Sequence, residues 1–519
     1  MSIFSRRLAV ATPSLALLTA VPALAQTTGS PNQPDQTQLV QTQPAATQPA
    51  TIQNERARQT LAAPLSEAYP VEAVGDGVTA GGYNQSRWVE DWSRLRDPAK
   101  RRDVFDRLKY IPIGGDDIYL TLSGEARLRV NLTTNPDLRE REAQRQDIDR
   151  LVGGADLHLG EHFRVFGELA HGGISGPNIG NPSGFLRNRL VVQQSFADAM
   201  TSLGGVDLGI RVGRQTFADG PNLLVVPRDN NTIFFTYNGV RAWGRIAKAR
   251  VDIFDFTPTR LGNGGTGDDL NADGRRFSGV STGFVVPTDL FGGSKLYVDP
   301  FLWRLRNRAA VWGGRPAREV RTFYGLHVWG DVGPVNLDWT INHQGGTYDN
   351  RDISAWQLLL AQSYRIGKDR QAPRVGVHVD YASGGGAYGR GTLRNALAPF
   401  GNNVYYSYQL FTTPTNLIAL APNISFQPLS KVRLALGYQF SWRDSVNDAV
   451  YRANGQAFAG TQNFSGRRIA DTARAQVVWS ISPRLSFTGR YEHLQAKSAL
   501  TDAGYRSSDF IAGWLSLRL

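Results

Sequence analysis

The sequence predicts an all-β fold, a transmembrane antiparallel β-barrel of about 18 strands behind a disordered N-terminal tail. Three observations predict it. Apolar and polar residues alternate from Ile118 to Leu519. Past the leading segment, no stretch is apolar enough to cross a bilayer as a helix. Long Gly-, Asn- and Asp-rich loops such as LGNGGTGDDLNADGRR alternate with brief turns such as Ile481-Ser482-Pro483, the asymmetry of outer-membrane barrels. Only helices and closed barrels satisfy every backbone polar group in lipid. A barrel places its apolar residues at every second position, so a mean hydropathy of −0.31 is compatible with a membrane wall.

The elements follow in chain order. Residues 1–25 read as a signal peptide: Arg6 and Arg7 precede an apolar run that closes on Ala23-Leu24-Ala25. Thr12, Pro13 and Ser14 interrupt that run and make it too short for a membrane anchor. Residues 26–82 are rich in Gln, Pro, Thr and Ala and predict a low-complexity, disordered periplasmic tail. Residues 83–116 form a lead-in. Its charged Arg87–Tyr110 portion carries Trp88, Trp92, Leu95, Val104, Phe105 and Leu108 at mixed spacing and is broken at Asp97-Pro98, which predicts short helical turns.

Residues 117–519 form the barrel. In YLTLSGEARLRVN, Leu120, Leu122, Ala126, Leu128 and Val130 share one face, and Ser123, Glu125, Arg127, Arg129 and Asn131 the other. That is a strand with lipid on one side and water on the other. VNLDWTINHQ sets Val335, Leu337, Trp339 and Ile341 against Asn336, Asp338, Thr340 and Asn342. KVRLALGYQFSWR and RVGVHVDYA alternate in the same way, as does the last segment, with Ile511, Leu515, Leu517 and Leu519 in step. A soluble β-sandwich also alternates; aromatic residues near strand ends and the loop asymmetry favour the barrel. About 18 strands leave a watery lumen rather than a filled core.

The formal charge is +12, and only seven of the 57 basic residues are lysine. Guanidinium groups bind carboxylates and phosphates through two parallel hydrogen bonds, so this bias points to anionic ligands or lipopolysaccharide phosphates. No nucleic-acid-binding motif is present. The absence of cysteine excludes disulfides, thiolate metal sites and thiol catalysis.

Candidate pore-lining and substrate-binding residues are the arginines predicted on polar strand faces: Arg127, Arg129, Arg187, Arg189, Arg211, Arg214, Arg250, Arg374, Arg433, Arg474 and Arg490, with Glu125 and Asp380 beside them. A ring of such charge sets ion selectivity; the competing reading is a ladder of cross-strand ion pairs. Asp269, Asn271, Asp273 and Gly274 reproduce half of a calcium loop, but Val280 occupies the place of its bidentate glutamate, leaving a weak calcium candidate in an extracellular loop. No other cofactor is expected. Gly279-Val280-Ser281-Thr282-Gly283 matches a hydrolase elbow, yet the residues after it read as strand. Gly384, Gly386 and Gly389 space like a nucleotide loop without a helix to follow. No catalytic residues are assigned.

Several segments in order resemble the alginate-export family of outer-membrane barrels, from about Arg87 onward: EDWSRLRDP with LKYIPI, LSGEARLRVN, GRQTFADG with YNGVRAW, NALAPFGNNVYYSYQ, SWRDSVNDAVY with its trailing NG, and RRIADTARAQVVWSISPRLSFTGRYEHL. The chain departs from that pattern at PNLLVVPRD, which lacks an arginine before the leucine, at YNG, where an aspartate commonly precedes the glycine, and at Leu519, where an aromatic residue usually closes the barrel. The resemblance implies a monomeric barrel with an electropositive lumen in a Gram-negative outer membrane, not an enzyme. It would pass a polyuronate or another acidic solute across the outer membrane; the arginine bias adds outer-membrane lipid and lipopolysaccharide as expected contacts, and residues 26–82 are the candidate site for a periplasmic export partner. A porin for small anions or aromatic acids is the alternative. A secreted β-rich carbohydrate-binding protein and a membrane-embedded hydrolase are the readings from other classes.

Overall fold

The structure is a computed structural model that describes residues 83–519 except 85, 116, 222, 288–289, 291–294, 370 and 454. The expected signal peptide and low-complexity tail lie outside the described residues. Eighteen long strands close into one antiparallel barrel. They are β1 (Ile118–Thr133), β2 (Gln144–Leu159), β3 (Phe163–Ser175), β4 (Asn188–Leu203), β5 (Val206–Gln215), β6 (Tyr237–Ile246), β7 (Ala249–Arg260), β8 (Arg275–Val285), β9 (Lys295–Trp312) and β10 (Arg315–Val332). The circuit continues with β11 (Val335–Tyr348), β12 (Arg351–Arg365), β13 (Arg374–Ala382), β14 (Leu417–Leu429), β15 (Val432–Trp442), β16 (Arg468–Ser480), β17 (Leu485–Ala496) and β18 (Ser508–Arg518).

Each strand pairs with its sequence neighbours, and β18 returns to β1 with Phe510 opposite Thr133 and Arg518 opposite Glu125. Closure leaves no long sheet edge unpaired in lipid. The alternation works as the sequence predicts. On β1, Leu128, Val130 and Leu132 are exposed on the outer wall, whereas Arg127, Arg129 and Asn131 are buried inside. The Gly279 to Gly283 stretch lies within β8.

Two-residue turns at Gly204-Gly205 and Gly313-Gly314 take positive φ at both positions (59° and 81°, 59° and 76°). Such turns match the strand twist and favour glycine. Ile118 and Arg518 lie at the end of the barrel with mostly short turns, which outer-membrane barrels present to the periplasm. The long connections, 216–236, 383–416 and 443–467, lie at the other end.

The lumen differs from the watery interior expected from strand number. Segments 216–236 and 383–416 fold inward and meet each other: Val225 bridges Phe400 in parallel, and the Phe400 N–H donates to the Leu224 carbonyl at 2.9 Å. They pack on inward aromatic residues of the wall, including Phe254, Phe256, Phe277, Phe301, Trp303 and Phe323. Strand number fixes the barrel's width, but the long connections decide what fills it.

Candidate functional site

The inward faces of β1, β2 and β16 to β18 carry a wall of buried arginines: Arg127, Arg129, Arg150, Arg474, Arg490 and Arg518. The inner tip of segment 216–236, Arg228-Asp229-Asn230, sits against it. Arg228 adopts a left-handed conformation with φ 65°, uncommon for a non-glycine residue and locally strained. Its Nε donates to the Phe400 carbonyl at 3.3 Å. That turn aims Asp229 at the wall, where its carboxylate accepts from Arg127 Nη2 at 2.9 Å and Arg150 Nη2 at 2.8 Å. Burial opposes ionisation of Asp229, but the guanidiniums of Arg127 and Arg150 outweigh it and hold the carboxyl below its ordinary range.

The next residue meets arginine through neutral oxygens. Arg129 donates to the Asn230 carbonyl and side-chain oxygen at 3.1 and 3.2 Å, and Arg490 donates to the same side-chain oxygen at 3.0 Å. The two guanidiniums lie 4.9 and 5.0 Å from the Trp514 ring centroid. Arg474 donates to the Tyr405 carbonyl of the second inward segment. Glu492 anchors the same segment by accepting from the Ser407 hydroxyl, the Tyr408 N–H and the Gln409 amide.

The lead-in enters the periplasmic mouth. It consists of short turns at Arg87–Val89, Ser93–Arg96, Pro98–Lys100 and Asp106–Lys109. Arg87 is buried between Glu125 and Glu168, and Trp88 lies under Arg211 with 3.8 Å from guanidinium carbon to ring centroid. Burial would lower the Arg87 pKa, but the two carboxylates raise it above its ordinary value, so it stays charged. Glu125 also pairs with Arg127 and Arg150. One chain of ion pairs therefore runs from the lead-in through Glu125 and the wall to Asp229 on the inward segment.

The remaining strands carry a different arrangement. Arg250 and Arg241 share Asp252, Arg250 also reaches Asp219 at 2.8 Å, and Arg211 and Arg164 share Asp198. His327 lies 2.9 Å from Asp338 and His378 lies 3.4 Å from Asp380. The Arg241–Asp252, Arg211–Asp198, Arg164–Asp198 and His327–Asp338 contacts cross between neighbouring strands and tie them together. Arg250–Asp252 and His378–Asp380 lie along single strands, and Arg250–Asp219 holds the inward segment to the wall.

Most arginines chosen from sequence face the lumen. Arg127, Arg129, Arg211, Arg250, Arg474, Arg490, Glu125 and Asp380 are buried there. Arg374 and Arg433 share the inward face at the periplasmic ends of β13 and β15 and are half-buried. Three do not line the lumen. Arg189 is exposed, and Arg187 lies in the connection before β4, where the β3–β4 register shifts. Arg214 falls on the face opposite Arg211 and donates to Asn238 and the Val192 carbonyl.

Arg150 and Arg518 line the wall but were not chosen from sequence. Arg518 could have been found by its spacing from Ser516 and Trp514. Of the calcium candidate, Asp269 accepts from Asn188 and the Gly262 N–H, and Asn271 accepts from Asn238. Among the described residues no three acidic or histidine side chains converge on a metal-sized site.

The sequence profile for alginate export matches residues 118–513, nearly the whole barrel circuit. The chain belongs to the alginate-export family. No curated protein matches it. Solved structures share the fold of this alginate-export barrel. A BenF-like porin from Pseudomonas fluorescens Pf-5 has TM-score 0.51 and 11% identity, covering 78% of this chain and 99% of its own. OccAB1 of Acinetobacter baumannii has 0.52 and 9%, covering 77% and 96%. OpdK of Pseudomonas aeruginosa, solved with vanillate, has 0.50 and 11%, covering 77% and 98%. Membership of the alginate-export family makes this barrel an outer-membrane channel of a Gram-negative bacterium.

Proposed function

We propose that this channel is anion-selective and passes an acidic oligo- or polysaccharide of the polyuronate class along the arginine wall, without catalysis or a cofactor. One observation carries this reading: Arg129 and Arg490 face the lumen with Asn230 oxygens as ligands and stack on Trp514. A passing carboxylate replaces a neutral amide oxygen with a charged one, and charge-assisted bonds are roughly twice as strong as neutral ones. The buried Trp514 ring holds both guanidiniums in place beside that path. Outer-membrane lipid, lipopolysaccharide and a periplasmic export partner are its proposed partners.

The inward segments favour a second reading, a porin for small anions or aromatic acids, because 216–236 and 383–416 meet across the lumen. Planar-bilayer recording separates the two. Reversal potentials in a salt gradient should show preference for anions. Block by polyuronate oligomers but not by neutral oligosaccharides supports the first reading. Block by aromatic carboxylates alone supports the second, and cation preference overturns both.

A further inference from the structure

The outer wall carries a second group of arginines, unconnected with the lumen. Val280 of β8, Leu302 of β9 and Tyr324 of β10 stand side by side in register, and His343 and Trp356 continue the row on β11 and β12. Val280, Leu302, Tyr324 and Trp356 are exposed, an apolar row ending in aromatics of the kind that marks a membrane interface. One pair closer to the extracellular end, Arg304 stands between Ser278 and Thr322, and one pair further Arg306 stands directly opposite Arg276.

Arg308 follows at a bulge in β9, its N–H donating to the Gly274 carbonyl at 2.9 Å. Arg318 of β10 is exposed on the face opposite the buried Glu319. Arg276 pairs with Asp255. Among the described residues, Arg304, Arg306, Arg308 and Arg318 form no ion pair.

Like charges directly opposite on adjacent strands destabilise a sheet, and the row below this patch is lipid-facing. Four exposed arginines at that height therefore call for anions outside the barrel. Guanidinium rather than ammonium groups select a ligand that takes paired hydrogen bonds, as phosphate does. We propose that the outer faces of β8 to β10 hold the phosphates of lipopolysaccharide in the outer leaflet, through Arg304, Arg306, Arg308 and Arg318. The proposal rests on the outer-membrane placement and is independent of which solute the lumen passes.

The test uses the purified full barrel in detergent, titrated with bisphosphorylated lipid A and with the same lipid dephosphorylated, bound lipid being read by native mass spectrometry. The wild-type barrel should prefer the phosphorylated lipid by at least about tenfold. Arg304→Gln, Arg306→Gln and Arg308→Gln together should abolish that preference and leave single-channel conductance unchanged. Equal binding of the two lipids by the wild type, or undiminished preference in the variant, overturns the proposal. So does a variant that keeps its lipid preference but loses binding of polyuronate added from outside, which would make the patch a polysaccharide-capture surface. If the variant does not fold, the wild-type comparison of the two lipids still decides. Failure to conduct ions alongside phosphate-dependent binding would count against the lumen reading alone.

Discussion

The inward positions of β1, β2 and β16 to β18 hold arginine, whereas equivalent positions on β7 to β10 hold Phe254, Phe256, Phe277, Phe301, Trp303 and Phe323. Both walls obey the same alternation and both face the interior. They differ in what meets them. The aromatic wall receives the flanks of segments 216–236 and 383–416 and forms a dry core with them. The arginine wall meets polar groups instead: Asp229 and Asn230 of the tip, the Tyr405 carbonyl, and the 407–409 stretch held by Glu492. Facing the lumen is therefore not the same as facing water, and the long connections determine which wall does which.

Each prediction either breaks or sharpens that contrast. Truncating the aromatic wall should have the largest energetic effect: Trp303→Ala should destabilise the barrel by about 3–5 kcal/mol, lowering its thermal unfolding midpoint while leaving ion selectivity alone. A selectivity change without loss of stability would show that the aromatic wall is part of the path.

Removing Arg87 leaves Glu125 and Glu168 short of a buried partner, a loss of about 3–5 kcal/mol that local undocking partly relieves. Arg87→Gln should therefore expose residues 83–110 to protease and raise single-channel conductance. Unchanged proteolysis would mean that the lead-in is held by other contacts.

On the arginine wall, Arg129→Gln with Arg490→Gln should lower the anion-to-cation permeability ratio by about an order of magnitude, read from reversal potential. Stability should change little. An unaltered ratio would remove these two residues from the selectivity mechanism.

The smallest effect concerns pH. Asp229 titrates below its ordinary range, so its pairs with Arg127 and Arg150 are complete above the unfolded carboxyl value of about 3.9 and are lost only as pH falls through the lower folded value. Conductance should be flat from about pH 7 to 4 on this account and change only in stronger acid. A transition near neutrality would show that another group controls the inward tip.

The barrel was legible because alternation is dictated locally: Leu128 and Arg129 occupy opposite faces whatever their neighbours do. The same rule would have excluded Arg214, which shares its face with Val212, and included Arg518, which shares its face with Trp514. Arg150 was obscured by Gly153-Gly154, which interrupts the polar pattern of β2. The inward segments were not legible. PNLLVVPRD has no period, and its placement depends on Phe400, Arg127 and Arg150, all far away in sequence. Nor does a charged lead-in announce that Arg87 will sit beneath Glu125 and Glu168.

The pairing of β1 with β18 joins residues separated by almost the whole barrel, Thr133 to Phe510. Until that last pair forms, β1 and β18 each keep an edge of unsatisfied N–H and C=O groups, which neither lipid nor a solitary strand can repair. Closure over so long a loop comes late, because the entropy cost precedes the reward. The unclosed chain is therefore a template for self-association, and the last strand pair removes both of its edges at once.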